Sequence, residues 1–538
     1  MASNKKLPLT AYFSMEYGLD VSMKSYAGGL GILAGDYIKG AKDHKYPLVA
    51  IGIKWKQGYT DQRIDAKGKA YDSYHNQEYS FLKDTKIKVT VKIRQRDVHC
   101  KVWLVDCFGN APLYLLDTDL PENGDAWITG QLYGWFGEER IAQEIVLGIG
   151  GVKALRALGI EPEVYHFNEG HAVFAGLELV KEKMDKGATF HKAVAQSRKE
   201  IVFTTHTPVV EGNESHTLDR LMYMGANNGL TLEQLVELGG SPFNMTVAAL
   251  RISRISNAVA ALHTVTAKKM WAKVSGISSI IGITNAIHIP TWVDPKMLLA
   301  AKGKGDLWST HMKNKKALID FIFDRNKVKL DVNKLLIGFS RRAVTYKRSD
   351  FIFRNEKIVD PLFKSGKLQI VFSGKAHPLD DNGKKIVQKL VKMSKKYPNS
   401  VVFLENYDMK IGKMLTTGSD VWLNNPRRPK EASGTSGMKA AMNGVLNFST
   451  LDGWWPEACK HGVNGWQIGD GFESASEAAL DKNDLKKLYK VLLEEIIPTY
   501  YDNKKKWVEM MKQSIVTTES YFGVKRMLEE YYGKMYKH

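Results

Sequence analysis

The chain has 538 residues, of which 44% are hydrophobic and 25% charged, too long for one ordinary core and too apolar for a disordered chain, so two or three globular domains are expected. Three cysteines without a C-x-x-C pair argue against a disulfide framework or cysteine-held zinc, and no metal is expected. No apolar run reaches the roughly 20 residues of a membrane span, and MASNKKLPLT carries no secretory leader, so a cytoplasmic protein without membrane partners is expected. The net charge of +19 is spread over scattered lysines, the pattern of a solvated surface; it supports attraction for phosphate and does not call for nucleic acid.

Short apolar strands alternate with helical patterns along most of the chain, which predicts parallel sheets with helices on both faces. In the first half the strands read as TAYFSMEYG, PLVAIGIKW, APLYLLDTD, EVYHFNEG and EIVFTTHTP. A helix with one apolar face at Ile141, Ile145, Ile149 and Val152 lies among them. The alternating segment KIKVTVKIRQRDVHCKVWLVD predicts an antiparallel hairpin inserted in the first domain.

SSIIGITNAIHIPTW, with Pro290 and the later KGKGD, is the linker candidate. Beyond it KLLIGFSRR, LQIVFSGKA, SVVFLENYD, DVWLNNP and GVLNFST read as strands, with helices such as KKIVQKLVKMSKK between them. The last segment, ESYFGVKRMLEEYYGKMYKH, reads as an aromatic amphipathic helix that packs back on the body. The expected fold is α/β: two doubly wound parallel-sheet, Rossmann-like domains facing a cleft, spanning 1–285 and 286–515, with 516–538 as the packing helix. Ligands are expected at the carboxyl ends of the strands.

Several strand ends carry residues suited to chemistry. Ser25-Tyr26-Ala27-Gly28-Gly29-Leu30-Gly31 opens a helix, and is either a tight turn or a phosphate cradle. Arg341, Arg342, Lys347 and Arg348 crowd one strand end, as an anion site or a solvated basic turn. Residues 431–443, EASGTSGMKAAMN, run from a loop of small residues into a helix bearing Lys439 among apolar neighbours. A lysine so placed either has the depressed pKa that suits Schiff-base chemistry or snorkels to solvent. His206 in TTHTP, Asn168, Glu169 and His171 in FNEGH, and Asn285 at the linker are polar candidates around them.

Taken together and in order, YFSMEYG, GGLGILAGDY, PLYLLDTDLPEN, LYGWFGEERIAQEIVLGIGGVKAL, FNEGHAVF, THTPV, TNAIHIPTW, SRRAVTYKR, FLENYD, EASGTSGMKAAMNG and LDGWWPEA resemble the glycogen and α-glucan phosphorylase family, in its short bacterial and archaeal form. The resemblance implies a glycosyltransferase-B-type architecture and reversible, retaining phosphorolysis of glycogen, starch or maltodextrin to α-glucose 1-phosphate. It implies pyridoxal 5'-phosphate on Lys439, with Gly434, Thr435, Arg341, Tyr407 and Gly29 around the phosphates. Arg342 and Lys347 would hold the substrate phosphate, with His206, Asn285 and Glu431 on the transferred glucosyl unit and Asn168, Glu169 and His171 as further sugar contacts. The cofactor phosphate would relay a proton through the substrate phosphate. The chain departs from the family at Ser436-Gly437 and at Ala286. Oligomeric state is open, with a homodimer among the allowed forms.

Overall fold

The computed structural model describes residues 6–134, 136–209 and 212–537. Residues 1–5 of the N-terminal stretch, Trp135 in the helical segment and the final His538 lie outside the described residues. The chain divides into two compact units. The first comprises Met1–Thr60, Tyr74–Thr284 and Val524–His538, the second Asp61–Ser73 and Asn285–Gly523.

The sheet of the first unit contains β1 (Thr10–Phe13), β2 (Leu48–Ile53), β3 (Lys83–Ile93), β4 (Arg96–Val105), β5 (Leu113–Asp117), β6 (Val164–Asn168), β7 (Ile201–Thr204), β8 (Ile255–Ala258) and β9 (Ser279–Gly282). Their order is β9-β8-β7-β6-β1-β2-β5-β4-β3. All pairs from β9 to β5 are parallel, and β3 and β4 form the antiparallel hairpin at the edge. The order reverses between β1 and β6, the arrangement that opens a ligand crevice at strand carboxyl ends. Central strands such as LVAIGI are buried along their whole length, as a sheet covered on both faces requires.

The sheet of the second unit contains β10 (Leu335–Ser340), β11 (Leu368–Ser373), β12 (Val401–Leu404), β13 (Val421–Asn424), β14 (Leu446–Thr450) and β15 (Gly465–Ile468). All its pairs are parallel, in the order β12-β11-β10-β13-β14-β15, so its switch point lies between β10 and β13. Each unit has its own apolar core. No helix among the described residues is long and apolar enough to cross a membrane.

Three sequence expectations are corrected. The linker candidate contains β9, because Ser279–Gly282 adds to the edge of the first sheet beside β8. The short strands β8 (ISNA) and β15 (GWQI) were not anticipated, having too few apolar residues for a periodicity signal. The last segment is not one helix. Lys504–Glu519 ends before Gly523, and a new helix, Val524–Glu530, continues through the wider turn Tyr531–Tyr536. Its aromatic face is buried within the first unit. Tyr536 Oη lies 2.6 Å from both Tyr37 Oη and His166 Nδ1, and Tyr531 Oη accepts from Asn257 Nδ2 at 3.0 Å.

Candidate active site

Both sets of candidate residues stand at switch points. In the first unit, β6 ends in Asn168, whose amide donates to Ser14 Oγ beyond β1 at 3.2 Å. Asn168 Oδ1 lies 2.7 Å from His206 Nε2, just past β7. Glu169 adopts a positive φ of 76°, a strained setting for a side chain that here serves to aim its carboxylate. That carboxylate accepts from the His206 backbone N–H at 2.7 Å and the Thr207 hydroxyl at 3.2 Å. Burial first, then the charge of His263, holds His206 at about 3, so its imidazole is neutral near pH 7.

The glycine loop is organised by Glu16, a residue the sequence reading did not single out. Its carboxylate accepts from the N–H groups of Ala27 (2.6 Å) and Gly28 (3.2 Å), and from Tyr133 Oη (2.9 Å). The helix α1 (Gly29–Asp43) then starts with no side-chain cap, and Gly29 is exposed at its first turn. This is the form of a helix N-terminus open to an anion. His171 departs from its sequence neighbours Asn168 and Glu169, which bond His206: it faces Glu214 at 3.9 Å and the ring of Tyr133.

In the second unit, Arg341 follows β10 and crosses the switch point to donate to Asn424 Oδ1 at the end of β13 (2.7 Å). Its other terminal nitrogen meets Glu431 Oε1 at 2.6 Å, and Lys347 Nζ meets Glu431 Oε2 at 2.8 Å. Burial alone would raise the Glu431 carboxyl, but the Arg341 guanidinium and Lys347 ammonium outweigh it and hold the group at about 2. The backbone N–H of Glu431 donates to Asp452 Oδ2 at 2.9 Å, and that of Gly453 to Asp452 Oδ1 at 2.9 Å. Asp452 is fully buried, and burial, then the neighbouring Glu431 charge, push it up to about 8.

The four-cation strand end divides. Arg348 is fully buried and bound to Asp481 (2.9 Å), Asp484 (2.7 Å) and the carbonyls of Asn425 and Pro426. It is a structural residue, so the four-cation candidate is corrected by its removal, leaving Arg341, Lys347 and the exposed Arg342 as candidates. Tyr407, past β12, has its phenol pushed up to about 12, by burial and then by Asp408, with Arg341 acting in the opposite sense.

Gly434 precedes the helix α2 (Thr435–Met442) with φ +87°, a conformation that disfavours a side chain; a Cβ there would also stand 3.6 Å from Arg341 Nη1. The helix has no side-chain cap, so its N-terminus lies open beside the Thr435 and Ser436 hydroxyls. Lys439 is buried on this helix, with Nζ 3.4 Å from the ring centroid of Trp292. Asn443 fixes that contact by donating to Trp292 O (3.0 Å) and accepting from Asp294 N–H (2.9 Å). Asn285 is buried at the start of this same segment.

Residues 300–461 match the family model for carbohydrate phosphorylase. The maltodextrin phosphorylase of Thermococcus litoralis is 39% identical over 98% of this chain and 70% of that protein. The chain belongs to the carbohydrate phosphorylase family. The glycogen phosphorylase of Aquifex aeolicus is 36% identical over 98% of this chain and 85% of its own length, and an uncharacterized protein of Methanocaldococcus jannaschii is 37% identical over 98% and 99%. Two doubly wound sheets are the glycosyltransferase-B-type architecture expected of this phosphorylase.

The residues of the second unit fit a phosphorylated aldehyde cofactor. They combine a buried primary amine, an uncapped helix start, a glycine that leaves room beside Arg341, and a guanidinium. Asp452, Asn424, Trp292 and Glu16 complete the two sets. They were missed because each acts through contacts far away in sequence.

Proposed function

We propose that this chain catalyses reversible, retaining phosphorolysis of α-1,4-glucan to α-glucose 1-phosphate, with pyridoxal 5'-phosphate held by Lys439. The observation that carries the reading is the buried Lys439 on an uncapped helix, beside the Arg341–Glu431–Lys347 cluster, in a phosphorylase-family chain. The names of the relatives, maltodextrin and glycogen phosphorylase, point to glucan and inorganic phosphate as substrates.

When bound, the cofactor would supply a phosphate that relays a proton through the substrate phosphate. Gly434, Thr435 and Arg341 would position that phosphate, with Tyr407 beside it, and Arg342 and Lys347 would bind the substrate phosphate. The helix start at Gly29 would add backbone N–H donors. Cations so placed offset the charge on phosphate as the glycosidic bond breaks. Glu431, kept ionised, would orient the two cations and accept from a glucosyl hydroxyl. His206, kept neutral and aimed by Asn168 and Glu169, would donate or accept a hydrogen bond to the sugar without adding charge. Asn285 would make a further sugar contact.

The test is the absorbance spectrum of purified protein before and after borohydride reduction, with peptide mapping, followed by assay of glucose 1-phosphate release from maltodextrin. A near-ultraviolet band, a pyridoxyl adduct on Lys439 and phosphate-dependent release are expected. A protein that takes up no pyridoxal phosphate would overturn the reading in favour of a nucleotide-sugar transferase.

A further inference from the structure

A second polar cluster lies in the first unit; of its residues only His171 was expected to serve the reaction, as a sugar contact, and it turns to Glu214 instead. Glu144 comes from the helix Glu138–Ile145, His171 from the turn Gly170–Ala172, and Glu214 and His216 from the segment leading into the short strand Ser215–His216. Ligand atoms of Glu144, His171 and Glu214 all lie within 4.8 Å of one another. His216 Nε2 stands 3.2 Å from Glu144 Oε2 and 3.9 Å from Glu214 Oε1, and His171 Nε2 stands 3.9 Å from Glu214 Oε2.

One feature marks this as more than a hydrogen-bonded knot. Glu144 is fully buried, yet its Oε1 has no hydrogen-bond partner among the described residues, and neither has Nδ1 of His171. Buried carboxylate oxygens are costly to leave so.

We propose that Glu144, His171 and Glu214 bind one divalent first-row transition cation of the zinc class, with His216 as an outer partner of the two carboxylates. Ligand atoms bonded at about 2.0–2.1 Å to a tetrahedral ion lie roughly 3.4 Å apart, and the three ligand atoms, all within 4.8 Å of one another, reach that spacing by side-chain rotation, with water in the fourth position. An imidazole with two carboxylates favours zinc, cobalt or nickel over magnesium or calcium, which take oxygen ligands. The ion would tie the segment that follows His206, and ends at Glu214 and His216, to the helix Glu138–Ile145. Its part is structural, and it stands independently of the phosphorolysis reading. No sequence spacing announces it: the first two ligands are 27 residues apart and the third lies 43 residues further on.

The test uses the untagged full-length protein, stripped with a chelator and dialysed against zinc chloride in phosphate-free buffer, with bound zinc measured by atomic absorption. One equivalent per chain is expected, with a higher Tm than the stripped protein. His216→Ala and Glu144→Gln should each weaken binding by at least the roughly 10–100-fold that loss of even an outer partner costs a metal site. His191→Ala, at an exposed histidine, should change nothing. Cobalt in place of zinc should give the visible ligand-field bands of a four-coordinate ion, a readout that needs no variant if Glu144→Gln fails to fold. Less than stoichiometric zinc, binding that survives both variants, or cobalt spectra of the hydrated ion would each overturn the proposal.

Discussion

Replacing Glu431 with glutamine removes the one charge that Arg341 and Lys347 share while keeping the side-chain shape. Holding this buried carboxyl at about 2, against an ordinary 4.5, corresponds to about 3 kcal/mol. That matches the roughly 3–5 kcal/mol for breaking a buried ion pair from one side. For a unit of this size, about 2–4 °C of Tm accompanies each kcal/mol, so Glu431→Gln should lower the Tm of the second unit by about 6–12 °C in anion-free buffer. The two cations then lack a counter-charge, and phosphate can supply it. A ligand at a hundredfold excess over its Kd stabilises by about 2.7 kcal/mol, so phosphate should raise the Tm of the variant more than that of the wild type. Acid should act in the same sense. Because the folded-state value is depressed, the stabilisation is present above the ordinary carboxylate range and lost as pH falls toward 2, and the variant should lack that loss. Thermal unfolding followed by fluorescence, with and without phosphate, reads all of this. A variant that melts within about 2 °C of wild type, or phosphate shifts of equal size in both proteins, would refute the reasoning.

The other expectations separate binding residues from structural ones. Arg348→Lys, which cannot reach two carboxylates and two carbonyls at once, should cost about 3–5 kcal/mol in chemical unfolding and leave the KM for phosphate unchanged. Arg342→Ala should do the opposite, raising the phosphate KM with a stability change within about 0.5 kcal/mol, since the side chain is exposed. Burial holds His206 at about 3, below its unfolded value, so the unfolded chain binds the extra proton; stability should fall as pH drops from about 6.5 toward 3. Carbon NMR of labelled histidine should then show His206 neutral throughout the assay range. Tyr536→Phe strips a hydroxyl that meets Tyr37 and His166, and should destabilise the first unit by about 1–3 kcal/mol in urea titration.

The alternation of apolar strands and helical patterns was legible because fully buried parallel strands leave continuous apolar runs, as in LVAIGI and LLIGFS. The edge hairpin was legible for the opposite reason: one face is wet, so KIKVTVKI alternates. Four-residue strands such as ISNA and GWQI were not, since their hydrogen bonds come from a neighbour already in place and not from their own composition. The C-terminal segment looked continuous because its aromatic spacing suits a helix, but the break at Gly523 is set by tertiary packing, which periodicity does not record.

The site shows a similar division. Lys439, Gly434 and Thr435 came into view through the family resemblance, because a run of small residues before a lysine alone leaves a snorkelling lysine equally open; Arg341 and Lys347 drew notice because cations crowd a strand end. What holds them was not readable. Arg341, Asn424, Glu431 and Asp452 are separated by as many as 111 positions, and they meet only because β10, β13 and β14 are consecutive in the sheet while the chain between them detours through β11 and β12. Asp452 illustrates the consequence. Its sequence neighbours announce only a tight turn, at Gly453 with φ +60°, yet its buried carboxyl grips the backbone of Glu431, and Glu431 in turn fixes both cations. The chemistry is thus written locally at strand ends, while its aim is written in strand order. A local turn, not strand order, separates Arg348 from its neighbour Lys347: its left-handed backbone, φ +51°, directs the side chain away from the switch point and into Asp481 and Asp484.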